Sequence, residues 1–156
     1  MNISDLPSLS LPLYAVPVRE DKDMTRIYDE LRGKWVALTP EEWVRQQFVA
    51  WLKNERGYMA GRMGNEIGIT LNRTLRRCDT VVFDSARMPL MIVEYKAPSI
   101  AVTQKVFDQI VRYNMVLTAP YLVVSNGIKH YCCAIDFDRR SYRFLPDIPR
   151  YSDIVR

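Results

Sequence analysis

The chain has 156 residues, with 22 Lys and Arg against 18 Asp and Glu for a formal net charge of +4. A chain this long buries roughly two thirds of the surface its unfolded form exposes, which suits one domain. Its 48% hydrophobic and 26% charged content excludes wholesale disorder, and no apolar run approaches the roughly 18 residues of a membrane helix.

Residues 1–23 read as an extended arm: apolar over residues 6–18 but broken by Pro7, Pro12 and Pro17, with Asp5 before it and no basic leader. Three cysteines, two of them adjacent (Cys132, Cys133), make no disulfide framework. Both features lead us to expect a cytoplasmic protein. Residues 24–156 are expected to form one folded domain. Residues 26–31 and 34–38 flank Arg32-Gly33 as a short hairpin. Thr39-Pro40-Glu41-Glu42 predicts a helix start, with Thr39 as cap, Pro40 at the first helical position and Glu42 completing a capping box. The helix is expected to run to residue 56, with Val44, Phe48 and Trp51 on one face and Gly57 ending it.

Four of the six glycines fall within residues 57–75, which predicts turns and one strand at 66–71. None is followed by Gly-Lys-Ser or Gly-Lys-Thr, so a nucleotide-binding P-loop is excluded. Strands are expected at 78–83 and 90–96, and a helix at 100–117, where Val102, Val106, Ile110 and Tyr113 recur at helical spacing. A strand at 121–125, a tight turn at Asn126-Gly127 and a return strand at 128–137 follow. A further turn leads into a strand at 142–145. The order implies one mixed sheet with helices.

Asp79 and Glu94 lie in the most apolar strands, and carboxylates are seldom buried without a partner. A hairpin turning near residues 86–87 puts them directly across from each other, with Cβ atoms about 5 Å apart. Two carboxylates at that spacing can hold one divalent ion. Lys96, two residues beyond Glu94, shares its face and can orient a water or neutralise a phosphate oxygen. A buried ion pair without chemistry is the competing reading. Cys78, Cys132, Cys133 and His130 invite a zinc site, but adjacent strand residues face opposite ways, so core cysteines are the better reading. Sixteen of the 22 basic residues are Arg, a bias toward phosphate recognition. Arg73, Arg76 and Arg77 are the first cluster placed to contact nucleic acid, and Arg139, Arg140 and Arg143 a second.

Arg77-Cys78-Asp79-Thr80-Val81-Val82-Phe83-Asp84 followed by Met91-Ile92-Val93-Glu94-Tyr95-Lys96-Ala97-Pro98 resembles the core of the PD-(D/E)XK nucleases. More narrowly, the chain is similar to the N-terminal nuclease domain of type I restriction enzyme R subunits, which also occurs as small stand-alone bacterial proteins. Gln109-Ile110-Val111-Arg112-Tyr113 matches the Gln-x-x-x-Tyr motif of the RecB-like branch, and Thr39 to Gln46 looks like the first helix of the stand-alone group. The resemblance covers roughly residues 26–133.

It implies an α/β fold with a restriction-endonuclease-like mixed sheet flanked by helices. It also implies hydrolysis of DNA phosphodiester bonds with Mg²⁺ or Mn²⁺. Asp79 and Glu94 would hold the metal and Lys96 would be the catalytic lysine; Gln109 and Tyr113, four apart on a helix, would line the site with Glu42 from the first helix. Cys78 stands where the family motif has proline, and the chain has no room for the ATP-driven motor of a full R subunit. The alternative function is a catalytically inactive nucleic-acid-binding module that keeps the fold. The implied partners are DNA, proteins of a restriction or repair system, and a second copy of this chain through the arm or a sheet edge. The competing expectation for the arm is that it packs back on its own domain.

Overall fold

The computed structural model describes residues 3–71 and 73–155; residues 1, 2, 72 and 156, at the ends of the predicted arm and domain and in one turn, lie outside the described residues. Two sheets and two main helices form the domain. The smaller sheet is antiparallel and comprises β1 (Val18–Asp21), β2 (Met24–Asp29) and β3 (Lys34–Ala37). The larger has the order β4 (Met63–Leu71), β5 (Thr74–Phe83), β6 (Pro89–Tyr95), β7 (Tyr121–Ser125), β8 (His130–Asp136) and β9 (Ser141–Leu145). Only β6 and β7 are parallel, and the helix between them, α2 (Gln104–Asn114), makes the crossover such a pair requires.

The chain-order reading holds with shifted boundaries. β1 is a strand the sequence did not announce: Val18–Asp21 pairs with β2 and closes what was read as irregular arm. The predicted long second helix shortens to Gln104–Asn114, because Thr103 caps it through the Val106 N–H and Thr118 ends the following turn in the left-handed region at φ 57°. A final short helix, α3 (Tyr151–Ile154), had no signal. The first helix, α1 (Pro40–Glu55), begins where its cap predicts, with Thr39 Oγ1 accepting from Glu42 N at 3.0 Å. The capping box is only half formed, because the Glu42 carboxylate turns to arginines instead.

Each face of the larger sheet carries one helix. Val44, Phe48 and Leu52 of α1 pack on Val82, Met91, Val93, Tyr95 and Val123. Phe107 and Val111 of α2 pack on the other face, against Val81, Ile92, Leu122 and Val124. The alternation Val93/Ile92 and Val123/Leu122 is the period of two that makes a strand apolar on both sides when helices cover both. The arm lies on its own domain: Ser10 donates to the Gly127 carbonyl at 2.8 Å, and Tyr14 and Gln47 exchange two hydrogen bonds. Among the described residues, no helix is long and apolar enough to cross a membrane.

Candidate active site

The pairing of β5 with β6 sets the site. Thr80, Val81 and Val82 pair with Val93, Ile92 and Met91, a register that continues to Asp79 opposite Glu94. The ladder stops at Thr80–Val93. Beyond that pair, Asp79 Oδ2 accepts the Tyr95 N–H at 2.9 Å, so the side chain bridges the two strands as the ladder ends. The hairpin turn is held by Asp84, whose carboxylate accepts from the amides of Ala86 and Met88.

Glu94 is the electrostatic focus. Burial pushes its carboxyl up to about 9, with the charge of Asp79 and a hydrogen-bonding contact to Asp79 acting in the same direction. Lys96 and the Asn114 amide oppose this shift and favour the anion. Two buried oxygens here have no hydrogen-bond partner, Glu94 Oε1 and Asn114 Oδ1. Orphaned acceptors are costly in a folded interior, and two carboxylates this close are a donor set that suits a divalent cation. Lys96 holds its backbone in line by donating to the Ser125 carbonyl at 2.9 Å.

From α1 the acid that feels the charges of Asp79 and Lys96 is Glu41. Glu41 keeps much of its surface in water, yet partial desolvation and the Asp79 charge raise its carboxyl above the ordinary range, against the pull of Arg45 and Lys96. The sequence-predicted Glu42 is buried and bound elsewhere: its oxygens accept from Arg32 Nη2 at 2.5 Å and Arg45 Nε at 2.7 Å. Arg45 continues the network. Its Nη1 donates to the Asp79 carbonyl at 2.9 Å and its Nη2 to Glu66 at 2.8 Å. Burial alone would lower the Arg45 pKa, but Glu42, Glu66 and Asp79 outweigh it and hold the guanidinium firmly charged. On the other side, Arg32 also pairs with Asp29, which accepts from Asn65, which in turn accepts from Thr80 beside the Tyr95 hydroxyl.

Asp79, Glu94 and Lys96 therefore come together on this side of the sheet. Gln109 and Tyr113 are exposed on α2. Gln109 makes no hydrogen bond among the described residues, and the Tyr113 ring lies under the Arg76 guanidinium at 4.1 Å. The α2 residue that meets Glu94 is Asn114, one position beyond the motif. Arg77 sits 3.5 Å from Glu66, and Arg73 is in the β4–β5 turn with φ 64°. The three cysteines are buried and free. Among the described residues, no three His, Cys, Asp or Glu side chains gather as a metal-ligand group.

The sequence reading missed Glu41, Arg45, Glu66 and Asn114. A signal existed for Arg45 alone, an arginine between the core residues Val44 and Phe48. Glu66 has no signal, since it takes part only because β4 lays it opposite Asp79.

A fragment of a protein described as an HsdR subunit of a type I restriction enzyme from Vibrio vulnificus YJ016 shares the fold, with a TM-score of 0.54 and 18% identity over 75% of this chain. This chain matches only 24% of that one, about a quarter of its length. Among curated proteins none matches. The family described as type I restriction enzyme R protein N terminus matches residues 40–149, more than two thirds of the sequence. The α/β architecture, the Asp and Glu-x-Lys strands and that match agree, and the chain belongs to this family, whose fold class is the PD-(D/E)XK nuclease core.

Proposed function

We propose that the protein hydrolyses phosphodiester bonds of DNA with a divalent cation held by Asp79 and Glu94. The observation that carries this is Glu94, whose carboxyl meets that of Asp79 and whose buried Oε1 has no hydrogen-bond partner. A pair of carboxylates fits Mg²⁺ or Mn²⁺, which bind through one or two protein carboxylates and fill the remaining positions with water and phosphate oxygens. When bound, such an ion polarises the phosphate and lowers the pKa of a water.

The chain's own residues supply the rest. The Tyr95 N–H fixes Asp79 Oδ2 and so orients the carboxylate that, beside Glu94, would hold the ion. Lys96, on the face of Glu94, carries a positive charge to the phosphate and holds or moves a proton at the attacking water. Glu41, exposed and in the field of Asp79 and Lys96, can accept a hydrogen bond from solvent there. Arg73, Arg76 and Arg77 grip the DNA backbone without reading sequence. Partner subunits of a restriction system belong to the same proposal.

The test is incubation of linear and supercoiled DNA with the protein in Mg²⁺, in Mn²⁺ and in EDTA. Cleavage that needs metal and is lost in Asp79→Asn, Glu94→Gln and Lys96→Ala is the expected result. Metal binding and DNA binding with no cleavage would instead assign the inactive DNA-binding module.

A further inference from the structure

We infer that Arg45 is a positioning residue of the site: its guanidinium fixes the Asp79 peptide against β4 and α1, and so aims the carboxylate that meets Glu94. This rests on the reading of Asp79 and Glu94 as a cation site. The geometry is specific. Arg45 spends one nitrogen on the Asp79 carbonyl, one on Glu66 and one on Glu42. Asn65 pairs with Thr80 and Ile67 with Cys78, which leaves Glu66 at the position across from Asp79 without a ladder pair. Glu66 sits there at φ 56°, a left-handed conformation that a non-glycine residue holds only when its surroundings impose it. Its carboxylate is held there by ion pairs to Arg45 at 2.8 Å and Arg77 at 3.5 Å. One planar cation thus clamps both strands at the place where the β5–β6 ladder ends.

Stability alone is a poor account of this arrangement. Arg45 is 5% exposed on α1, a degree of burial that would suit an apolar side chain of similar volume. Buried ion networks are often no more stable than such apolar replacements. Three acceptors from three elements, one of them the peptide of the candidate ligand, define a direction that packing cannot. A planar fork holds such a direction and a lysine cannot.

The probe is Mn²⁺ alone, titrated calorimetrically into the full chain, with DNA affinity measured separately in EDTA. In Arg45→Gln, Mn²⁺ affinity is expected to fall at least tenfold while DNA affinity in EDTA stays within twofold. Arg45→Lys keeps the charge that compensates Glu42 and Glu66, so its fold survives even if the Gln variant's does not. It loses the fork, and should bind Mn²⁺ at least threefold more weakly, with an altered Mn²⁺ electron paramagnetic resonance line shape. A folded Arg45→Lys protein that binds Mn²⁺ as the wild type does would overturn the assignment, as would DNA affinity falling in step with Mn²⁺ affinity. If the wild type itself takes up no Mn²⁺, or Asp79→Asn binds it equally well, the cation site is what fails, not the role of Arg45 within it.

Discussion

Glu41 and Glu42 are neighbours in the first turn of α1, and their carboxylates serve different networks. Glu42 is locked between Arg32 and Arg45, whereas Glu41 opens to water and feels the charges of Asp79 and Lys96. The two should separate cleanly on substitution. Glu42→Gln leaves the buried Arg45 and the partly buried Arg32 short of a counter-charge and should cost about 3 kcal/mol, the scale of a broken buried ion pair. For a chain of this size that is a drop of roughly 2–4 °C in Tm per kcal/mol. Glu41→Gln should change stability by less than about 0.5 kcal/mol and act on cleavage instead. Thermal melts beside a cleavage assay check both, and equal Tm losses would contradict the assignment.

The Glu94 carboxyl gives stability a definite dependence on pH. Its folded value of about 9 lies well above the ordinary carboxylate range, so between the two the folded state holds a proton that the unfolded state has released. Metal-free stability should therefore be greatest in the mildly acidic range and decline as pH rises toward about 9. Cation binding needs the anion, so Mn²⁺ affinity should rise over the same window. Glu94→Gln should flatten the metal-free profile and stabilise the protein at high pH by on the order of 1–3 kcal/mol. Melts across pH with and without Mn²⁺ read all of this, and a Tm profile of the wild type parallel to that of Glu94→Gln would refute it.

DNA affinity should depend on arginines that the metal does not touch. Arg77 is largely exposed beside Glu66, and Arg76 is stacked on Tyr113. Charge reversal at both should weaken binding for all sequences alike and lower the salt slope by roughly one unit per lost phosphate contact. Fluorescence anisotropy over a salt series measures the slope. Sequence-dependent losses would point to base contacts instead.

Gly127 is where the arm is fastened. Its φ of +84° favours glycine, and an added Cβ would come within 2.7 Å of Leu9 Cδ2 and 3.1 Å of Val44 Cγ2. Gly127→Ala should cost at least about 1–2 kcal/mol for the backbone alone and loosen the arm. Limited proteolysis should then cut within residues 6–13 faster than in the wild type. Leu9 and Leu11 of the arm pack against the core of their own domain while Leu13 stays 80% exposed, so light scattering is the measurement that decides whether the arm or a sheet edge also pairs two copies.

The strands and helices that the sequence announced are those with local causes. Thr39 and Pro40 start α1, the Asn126-Gly127 turn joins β7 to β8, and the opposed placement of Asp79 and Glu94 follows from counting back from a turn. What was hidden depends on contacts distant in sequence. β1 exists because β2 offers it an edge. Glu66 lies across from Asp79 because of the β4–β5 register, and the buried Asn114, not the exposed Gln109, is the α2 residue that acts on Glu94. Glu42 looked like both a cap and a site residue, and helix pattern alone does not say which of two adjacent acids faces the sheet edge and which faces an arginine.

The match to the family begins at residue 40, yet the buried polar chain does not. Asp29 and Arg32, on the smaller sheet and its loop, complete the coordination of Glu42 and Asn65. The unit that is recognisable by descent is therefore smaller than the unit that is physically whole. Cutting the protein at the recognised edge would strand Glu42 against Arg45 with half its counter-charge gone and leave the Asn65 amide without its acceptor. A fragment beginning at Pro40 would report on a damaged scaffold, and any loss of activity it displayed would say nothing about the carboxylates across the sheet.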